Sequence, residues 1–373
     1  MKIAQIAPLM ESVPPRLYGG TERVVSHLTE ELVRQGHDVT LFASGDSVTS
    51  ARLAPCSEQA IRLNPAIQDY IPHYMVMLDR LRIAAHSFDI LHFHIDAFQM
   101  PLFREMASKT VTTLHGRQDL PDMQFLYRAI PEMPLVSISN AQRAPIPDAN
   151  FVKTVYHGLP LDLFPPTYEP RGGYLAFLGR ISQEKRPDRA IEMASALGMP
   201  LKIAAKVDKA DESYFRETIA PLLSRPGIEF LGEIGERDKA SFLGEARALL
   251  FPIDWPEPFG LVMIEAMACA TPVLAFRCGS TPEIIDQRVT GCLVGSLDEA
   301  IRVMPELLRI DRRGVRRRFE ERFSAQRMAN DYLSVYRSVS RSGAELGSVG
   351  TRLPLGPNVV PLSGRNSLSR HAR

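Results

Sequence analysis

Short β-branched runs alternate with longer helical patterns along most of this 373-residue chain. The first run, residues 3–7, precedes apolar residues at helical spacing over 20–35, and Gly36 is placed to end that helix. Such alternation predicts βαβ units, in which the strands pair in parallel and helices cover the sheet. Later strands of this series are predicted at 38–43, 89–94, 110–115, 135–139 and 151–156.

The alternation is interrupted between residues 159 and 173, where prolines and glycines crowd together. A second series of predicted strands follows, at 174–178, 201–205, 228–231, 248–252 and 272–276. We therefore predict one doubly wound α/β domain at 1–160, a linker at 161–173 and a second such domain at 174–323. Ligands of these sheets bind beyond the carboxyl ends of the strands, so the site is expected in the cleft between the domains.

The end of the chain has a different composition. A last helical pattern runs from Phe323-Ser324 to about residue 340, and residues 342–373 are rich in Ser, Gly, Pro and Arg without periodicity. We predict that this tail is disordered.

Charge and hydropathy narrow the class of protein. The net charge of +1 gives no reason to expect a nucleic-acid partner. The apolar run at 261–276 is interrupted by Glu265, Thr271 and Pro272, so no bilayer span is predicted there. We expect a cytoplasmic protein, with peripheral contact to the inner face of a membrane left open, as is the oligomeric state.

The segment from Trp255 to Ala266 concentrates the chemistry of the sequence. Prolines on both sides hold the Glu257 carboxylate in a restricted loop, and Gly260 permits close approach before a helix begins. The free N–H groups of the first helical turn suit a phosphate. Glu265 lies about one turn further on and leans back toward the same point. The alternative is a proline-rich surface loop before an ordinary core helix.

Two cations follow the first strand of the second series. Arg180 and Lys185, in the stretch Gly-Arg-Ile-Ser-Gln-Glu-Lys, could both reach an anion at the strand end. Alone, such a pair in a loop is more often simply solvated, so the prediction of an anion site depends on the Glu257 segment.

Several residues of the first series end strands or begin helices. Gly19 and Gly20 precede the first helix, where backbone can approach a ligand, although a tight turn capped by Thr21 is an equal alternative. His115 and Asn140 follow predicted strands that end at the cleft. His92, His94 and Asp96 share one strand face at alternate positions and could ligate a metal.

The pairing of Glu257 and Glu265, in the form Glu-Pro-Phe-Gly-Leu and then Glu-Ala-Met-Ala, resembles the signature of the retaining glycosyltransferases of family four. The resemblance covers roughly residues 1–340 and implies a GT-B fold, with two Rossmann-like domains facing across a cleft. It also implies that the helix at 324–340 crosses back onto the first domain. Ala270, Gln287-Arg288 and His157-Gly158 depart from the usual pattern in ways that look structural.

The resemblance also assigns roles. Glu257 would face the transferred sugar as a catalytic residue with His115 nearby, and Glu265 would hold the nucleotide ribose. The remaining donor-binding residues would be Arg180, Lys185, Phe259, Gly260, Leu261, Gly19 and Gly20. His94 and Asn140 are expected on the acceptor side.

The implied reaction moves a hexose from a nucleoside-diphosphate sugar to a glycan, lipid or small metabolite, with retention and without a metal or other cofactor. UDP-glucose is the first choice of donor because it is common among such enzymes. Three alternatives stay open: a nucleotide-sugar epimerase of GT-B fold, a non-catalytic sugar-nucleotide-binding protein, and a metal-dependent hydrolase centred on His92 and His94.

Overall fold

The computed structural model describes residues 1–16 and 19–346, and within them the strands form two parallel sheets. The first sheet comprises β1 Lys2–Ile6, β2 Asp38–Ser44, β3 Arg52–Ser57, β4 Ile90–Phe93, β5 Thr110–Thr113, β6 Leu135–Ser137 and β7 Phe151–Thr154. Its order is β3-β2-β1-β4-β5-β6-β7. The pairs are parallel throughout, as the alternation predicts.

The second sheet comprises β8 Leu175–Arg180, β9 Leu201–Lys206, β10 Ile228–Gly232, β11 Ala248–Phe251, β12 Val273–Phe276 and β13 Gly291–Val294. Its order is β10-β9-β8-β11-β12-β13, again with parallel pairs. The central strands β11 and β12 are buried along their whole length, as strands covered on both faces must be.

Every predicted strand is present, with ends that differ by a few residues. Two strands, β3 and β13, were not predicted. β3 lies at the edge of the first sheet, is only partly buried and contains Arg52 and Pro55, so its sequence lacks an apolar run. β13 begins at Gly291, whose missing side chain allows the backbone of Val273 to approach closely.

The helices are α1 Gly20–Arg34, α2 Ile71–Ala84, α3 Met100–Phe103, α4 Pro121–Ala129, α5 Asn140–Arg143, α6 Pro187–Leu197, α7 Glu212–Tyr214, α8 Glu236–Gly244, α9 Leu261–Ala268, α10 Thr281–Ile284, α11 Leu297–Leu307, α12 Arg312–Arg322 and α13 Ala325–Leu346. Helix α1 ends as predicted, with Gly36 in the left-handed region at φ 81°. None of the helices in the described part of the chain is long and apolar enough to cross a bilayer.

Strand order reverses next to β1 in the first sheet and next to β8 in the second. Loops that follow the strands on either side of such a reversal diverge and leave a crevice for a ligand. The loop after β1 leads through Gly19 to Gly20 at the start of α1, β8 ends at Arg180 with Lys185 in the loop that follows, and the loop after β11 carries Glu257. The topology therefore brings the predicted motifs to the crevices.

Helix α13 returns to the first sheet and packs its apolar face there. Met328, Tyr332 and Tyr336 are buried among Ile3 and Val24. The helix continues to Leu346, beyond the predicted end near residue 340, so the prediction of disorder from residue 342 is wrong for its first residues. Ala, Glu and Leu at 344–346 are good helix formers that continue the preceding helix. The rest of the predicted tail, 347–373, lies outside the described residues.

Candidate active site

A cavity of about 570 Å³ lies between the two sheets and takes its walls from both. Ten of the predicted site residues line it: Gly19, Gly20, His115, Arg180, Lys185, Glu257, Phe259, Gly260, Leu261 and Glu265. The two predicted acceptor-side residues, His94 and Asn140, are outside this lining. The walls come close together, because a Cβ atom on Gly20 would lie 3.6 Å from Cδ1 of Leu261.

Glu257 is fixed by two donors, one from its own loop and one from the loop after β8. Lys185 Nζ forms an ion pair with Glu257 Oε2, and the indole N–H of Trp255 donates to the same oxygen at 3.0 Å. The Lys185 ammonium also lies 5.0 Å from the centre of the Trp255 ring, a cation–π contact. The carboxylate is mostly buried, so the paired cation offsets its desolvation.

Gly260 starts helix α9 with a backbone that other residues adopt poorly. Its φ is 82°, and a Cβ there would lie 2.7 Å from Met263 Cε and 3.1 Å from Phe251 Cζ. The helix begins at Leu261, and Gly260, Leu261 and Val262 at its start line the cavity. The N–H groups of its first turn carry partial positive charge and suit a phosphate.

Glu265 has one carboxylate oxygen paired and one unpaired. Oε1 accepts from Lys239 Nζ at 3.0 Å. Oε2 is buried and has no hydrogen-bond partner among residues 1–16 and 19–346. A buried anionic oxygen without a donor is costly, so the cavity offers a strong acceptor for a ligand hydroxyl.

Arg180 lies among carboxylates rather than alone. Its guanidinium is 3.3 Å from Glu184, 3.7 Å from Asp208 and 3.5 Å from Asp211. Sequence reasoning expected a free cation directed at an anion. The structure places Arg180 in the cavity wall, where a phosphate would compete with these acids for the guanidinium.

Gly19 and Gly20 let the first loop pack tightly. A Cβ on Gly19 would lie 2.7 Å from Pro15 Cβ and 3.2 Å from Glu22 Oε2. Helix α1 begins at Gly20 and Glu22 lies in its first turn. Burial raises the pKa of Glu22, which also lines the cavity.

Of the histidines singled out in the sequence, His115 lines the cavity. Burial lowers its pKa to about 3, so the ring is neutral at physiological pH. His157, also in the lining, stacks on His115 with ring centres 5.4 Å apart and planes 16° apart. Phe259 packs edge-on against His157 at 4.7 Å.

His94 and Asn140, which were predicted on the acceptor side, lie outside the cavity lining and form hydrogen bonds with other residues of the protein. His94 is buried behind His115, with Nδ1 2.9 Å from His115 Nε2. Asn140 begins α5 and binds Glu283 of the second domain, with its backbone N–H at 2.8 Å and its side-chain amide at 2.9 Å. Tyr156 also donates to Glu283 at 2.9 Å, so these residues connect the two domains outside the cavity.

The strand-face histidines considered as metal ligands form hydrogen bonds within the protein. His92 Nδ1 lies 2.8 Å from the Tyr336 hydroxyl and Nε2 lies 2.7 Å from Thr113 Oγ1. His94 is likewise engaged at both ring nitrogens. Across the described residues no group of three or more His, Cys, Asp or Glu side chains is arranged to hold a metal.

Sequence reasoning missed the residues that support the two glutamates. Lys239 pairs with Glu265, and Gly279 lies so close to the Glu257 backbone that a side chain would overlap it. Ser280 holds the same loop, because its N–H donates to Glu257 O at 3.0 Å and its hydroxyl to Phe259 O at 2.8 Å. The Gly279-Ser280 pair, in the short loop between β12 and α10, was the sequence signal for this support.

Two family models match the chain in succession. The model described as Glycosyltransferase Family 4 matches residues 18–144, and the one described as Glycosyl transferases group 1 matches residues 167–322. The first model falls on the part that carries His115 and the glycine loop. The second falls on the part that carries Arg180, Lys185, Glu257 and Glu265.

The chain is also similar to curated proteins that are named as sugar transferases or synthases. A D-inositol 3-phosphate glycosyltransferase of Saccharomonospora viridis is 30% identical over 221 residues, which are 51% of this chain and 50% of that protein. The chain thus spans about half the length of this relative. An N-acetyl-alpha-D-glucosaminyl L-malate synthase of Bacillus anthracis is 26% identical over 371 residues, which are 87% of this chain and 95% of that protein.

Solved structures share the fold. The sucrose-phosphate synthase of Thermosynechococcus elongatus superposes with a TM-score of 0.76 at 19% identity, over 92% of this chain and 100% of that one. AviGT4, a glycosyltransferase involved in Avilamycin A biosynthesis, gives a TM-score of 0.71 at 22% identity, over 91% and 98%. The predicted GT-B fold is confirmed. The two family models together assign residues 18–144 to Glycosyltransferase Family 4 and residues 167–322 to the Glycosyl transferases group 1.

Proposed function

We propose that the protein is a retaining glycosyltransferase that moves a hexose from a nucleoside-diphosphate sugar to an acceptor hydroxyl. The observation that carries the proposal is the pair of glutamates in one cavity. Glu257 is held by Lys185 and Trp255, and Glu265 keeps a buried oxygen without a partner among the described residues. A ribose hydroxyl donating to Glu265 would satisfy that oxygen.

The cations and the helix start would stabilise the leaving group. A nucleoside diphosphate gains negative charge as the bond to the sugar breaks. Lys185, Arg180 and the N–H groups at the start of α9 line the same cavity and would accept that charge. We propose that no metal ion takes part. The departing phosphate would take the proton of the acceptor hydroxyl, and front-face and double-displacement routes are both compatible with this arrangement.

The names of the relatives support a hydroxyl-bearing acceptor and leave its identity open. Their printed names mention inositol 3-phosphate and L-malate, both polar molecules with hydroxyl groups. For this chain we propose a glycan, a lipid or a small metabolite as acceptor. UDP-glucose is the first donor to test because of its wide use by such enzymes.

A donor panel tests the proposal. Thermal shift with UDP-, GDP- and ADP-sugars would select the donor, since a ligand bound to the native state raises the unfolding temperature. Turnover of the labelled donor with and without candidate acceptors would follow, with and without EDTA. We expect transfer or slow hydrolysis that EDTA leaves unchanged, and an α-linked product from an α-linked donor.

The same experiment separates the alternatives. Conversion of the donor into an isomer without an acceptor would indicate an epimerase. Binding without turnover would indicate a sugar-nucleotide-binding protein. Loss of activity in EDTA would contradict metal independence, and an inverted product would contradict retention.

A further inference from the structure

A buried chain of hydrogen bonds connects His115, in the cavity wall, with helix α13. His115 Nε2 lies 2.9 Å from His94 Nδ1, and His94 Nε2 lies 2.8 Å from Gln5 Oε1. Gln5 Nε2 donates to the Tyr336 hydroxyl at 3.2 Å. The Tyr336 hydroxyl lies 2.8 Å from His92 Nδ1, so it is held from a second side.

The Gln5 amide determines which atoms donate and which accept along this series of hydrogen bonds. Its carbonyl oxygen can only accept and its NH₂ group can only donate. Because Gln5 Oε1 faces His94 Nε2, the hydrogen of the His94 ring is on Nε2. Burial lowers the pKa of His94 well below its ordinary value, so the ring is neutral and its Nδ1 is bare. A bare Nδ1 must accept, and the donor is His115 Nε2–H.

The direction fixes what His115 can do in the cavity. The ring is neutral, so it carries one hydrogen, and that hydrogen is used on Nε2. Nδ1 keeps a lone pair and can only accept a hydrogen bond. A sugar hydroxyl can donate to it, whereas an ionised phosphate oxygen cannot. Stacking of His157 at 5.4 Å keeps the ring plane in place.

We propose that Gln5 and Tyr336 are positioning residues that fix the tautomer of His115, so that His115 Nδ1 accepts a hydrogen bond from a sugar hydroxyl in the cavity. The sugar in this statement rests on the proposed function. The tautomer does not, because it follows from contacts within the chain. Gln5 and Tyr336 are 331 positions apart, so the device depends on the return of α13 to the first sheet.

Nitrogen NMR of the ligand-free, full-length protein with ¹⁵N-labelled histidine tests the tautomer. The His115 signals are identified by their loss in His115→Ala. We expect a pyrrole-like shift for Nε2 and a pyridine-like shift for Nδ1. The opposite assignment would mean that the Gln5 amide points the other way and would overturn the proposal.

Tyr336→Phe tests the positioning role. We expect His115 to populate both tautomers, and kcat for transfer to fall about fivefold with less change in the donor KM. Tyr174→Phe is the matched control, because it removes a buried hydroxyl that donates to Phe242 O at 2.8 Å in the second domain. It should leave the His115 shifts and kcat unchanged.

Two outcomes would contradict this role: unchanged His115 shifts in Tyr336→Phe, or changed shifts with an unchanged kcat. If Tyr336→Phe does not fold, Gln5→Met interrupts the same chain and takes its place in both measurements. A protein that shows the expected tautomer but transfers no sugar would overturn the proposed function and leave the tautomer assignment standing.

Discussion

In the second-domain wall of the cavity, Glu257 and Glu265 form ion pairs with Lys185 and Lys239, whereas His115 in the first-domain wall is a neutral ring, with Arg23 and Arg62 also lining that side. The charged pairs compensate one another while no ligand is bound, which limits the cost of burying them. The neutral ring is backed by further neutral histidines, since burial also lowers the pKa values of His92 and His94.

This difference indicates that the two walls would bind different parts of a ligand. A wall with cations, carboxylates and a helix start suits a ligand that brings both phosphate and hydroxyl groups. Around His115 the first-domain wall offers a neutral acceptor nitrogen, which suits an uncharged hydroxyl group. Four predictions test this division, the first three in order of their expected effect on sugar transfer or donor binding.

Removing the charged pair should have the largest effect. We expect Lys185→Ala and Glu257→Ala each to lower the transfer rate by about 10²-fold or more. Each variant removes a charged side chain that would stabilise the transferred sugar or the leaving phosphate. Steady-state kinetics measure the rate, and circular dichroism checks that the variants fold. Lys202→Ala, which loses a surface ion pair with Glu229, should keep the native rate. A native rate for either active-site variant would contradict the assigned charged wall.

The support beneath Glu257 should be sensitive to one methyl group. Gly279→Ala places a Cβ against the Glu257 backbone at a φ of 56°, and we expect a loss of about 3 kcal/mol in stability together with reduced activity. Gly198→Ala is the matched control, with a φ of 61° and no atom within 4 Å, and should cost about 1 kcal/mol. Urea unfolding compares them. Equal losses would mean that the contact with Glu257 contributes nothing.

The unpaired oxygen of Glu265 should matter for donor affinity. Glu265→Gln removes the charge that a ribose hydroxyl would donate to, and we expect the donor Kd to rise about tenfold. Calorimetric titration with the donor identified in the panel measures this. Glu229→Gln, at the surface, should leave Kd unchanged. Unchanged affinity in Glu265→Gln would place the ribose elsewhere.

The neutral histidines should make stability depend on pH. The folded pKa values of His92, His94 and His157 lie below the ordinary 6.5, so below that pH the unfolded chain binds more protons. The contribution of these histidines to the free energy of unfolding is complete above about pH 6.5. As the pH falls below this value, each residue loses roughly 1.4 kcal/mol of that contribution per pH unit. Urea unfolding between pH 7.5 and 5.5 measures the slope.

A variant pair isolates this effect. His92→Gln should reduce the slope by about one residue's share. His86→Gln, at an exposed position, should leave the slope unchanged. A slope that is the same in both variants would show that His92 is not the neutral buried group described above.

Local backbone preferences along the sequence determined the Glu257 segment and the two parallel sheets. The strand, the proline-flanked Glu257, the left-handed Gly260 and the start of α9 lie within a short stretch, and each follows from backbone preferences of the residues themselves. The alternation of strands and helices likewise predicted two parallel sheets, because βαβ connections allow few topologies. The second-domain wall of the cavity was therefore visible in the sequence.

The tertiary structure alone decided the partners. Sequence did not show that Lys239 would pair with Glu265 or that Gly279 would support Glu257. Nor did it show that Asn140, predicted on the acceptor side, would bind Glu283 of the other domain. Hydrogen-bond partners distant in sequence are chosen by packing of whole elements, which no local preference encodes. The tautomer of His115 is the extreme case, since it depends on a hydroxyl that α13 brings back from the far end of the described chain.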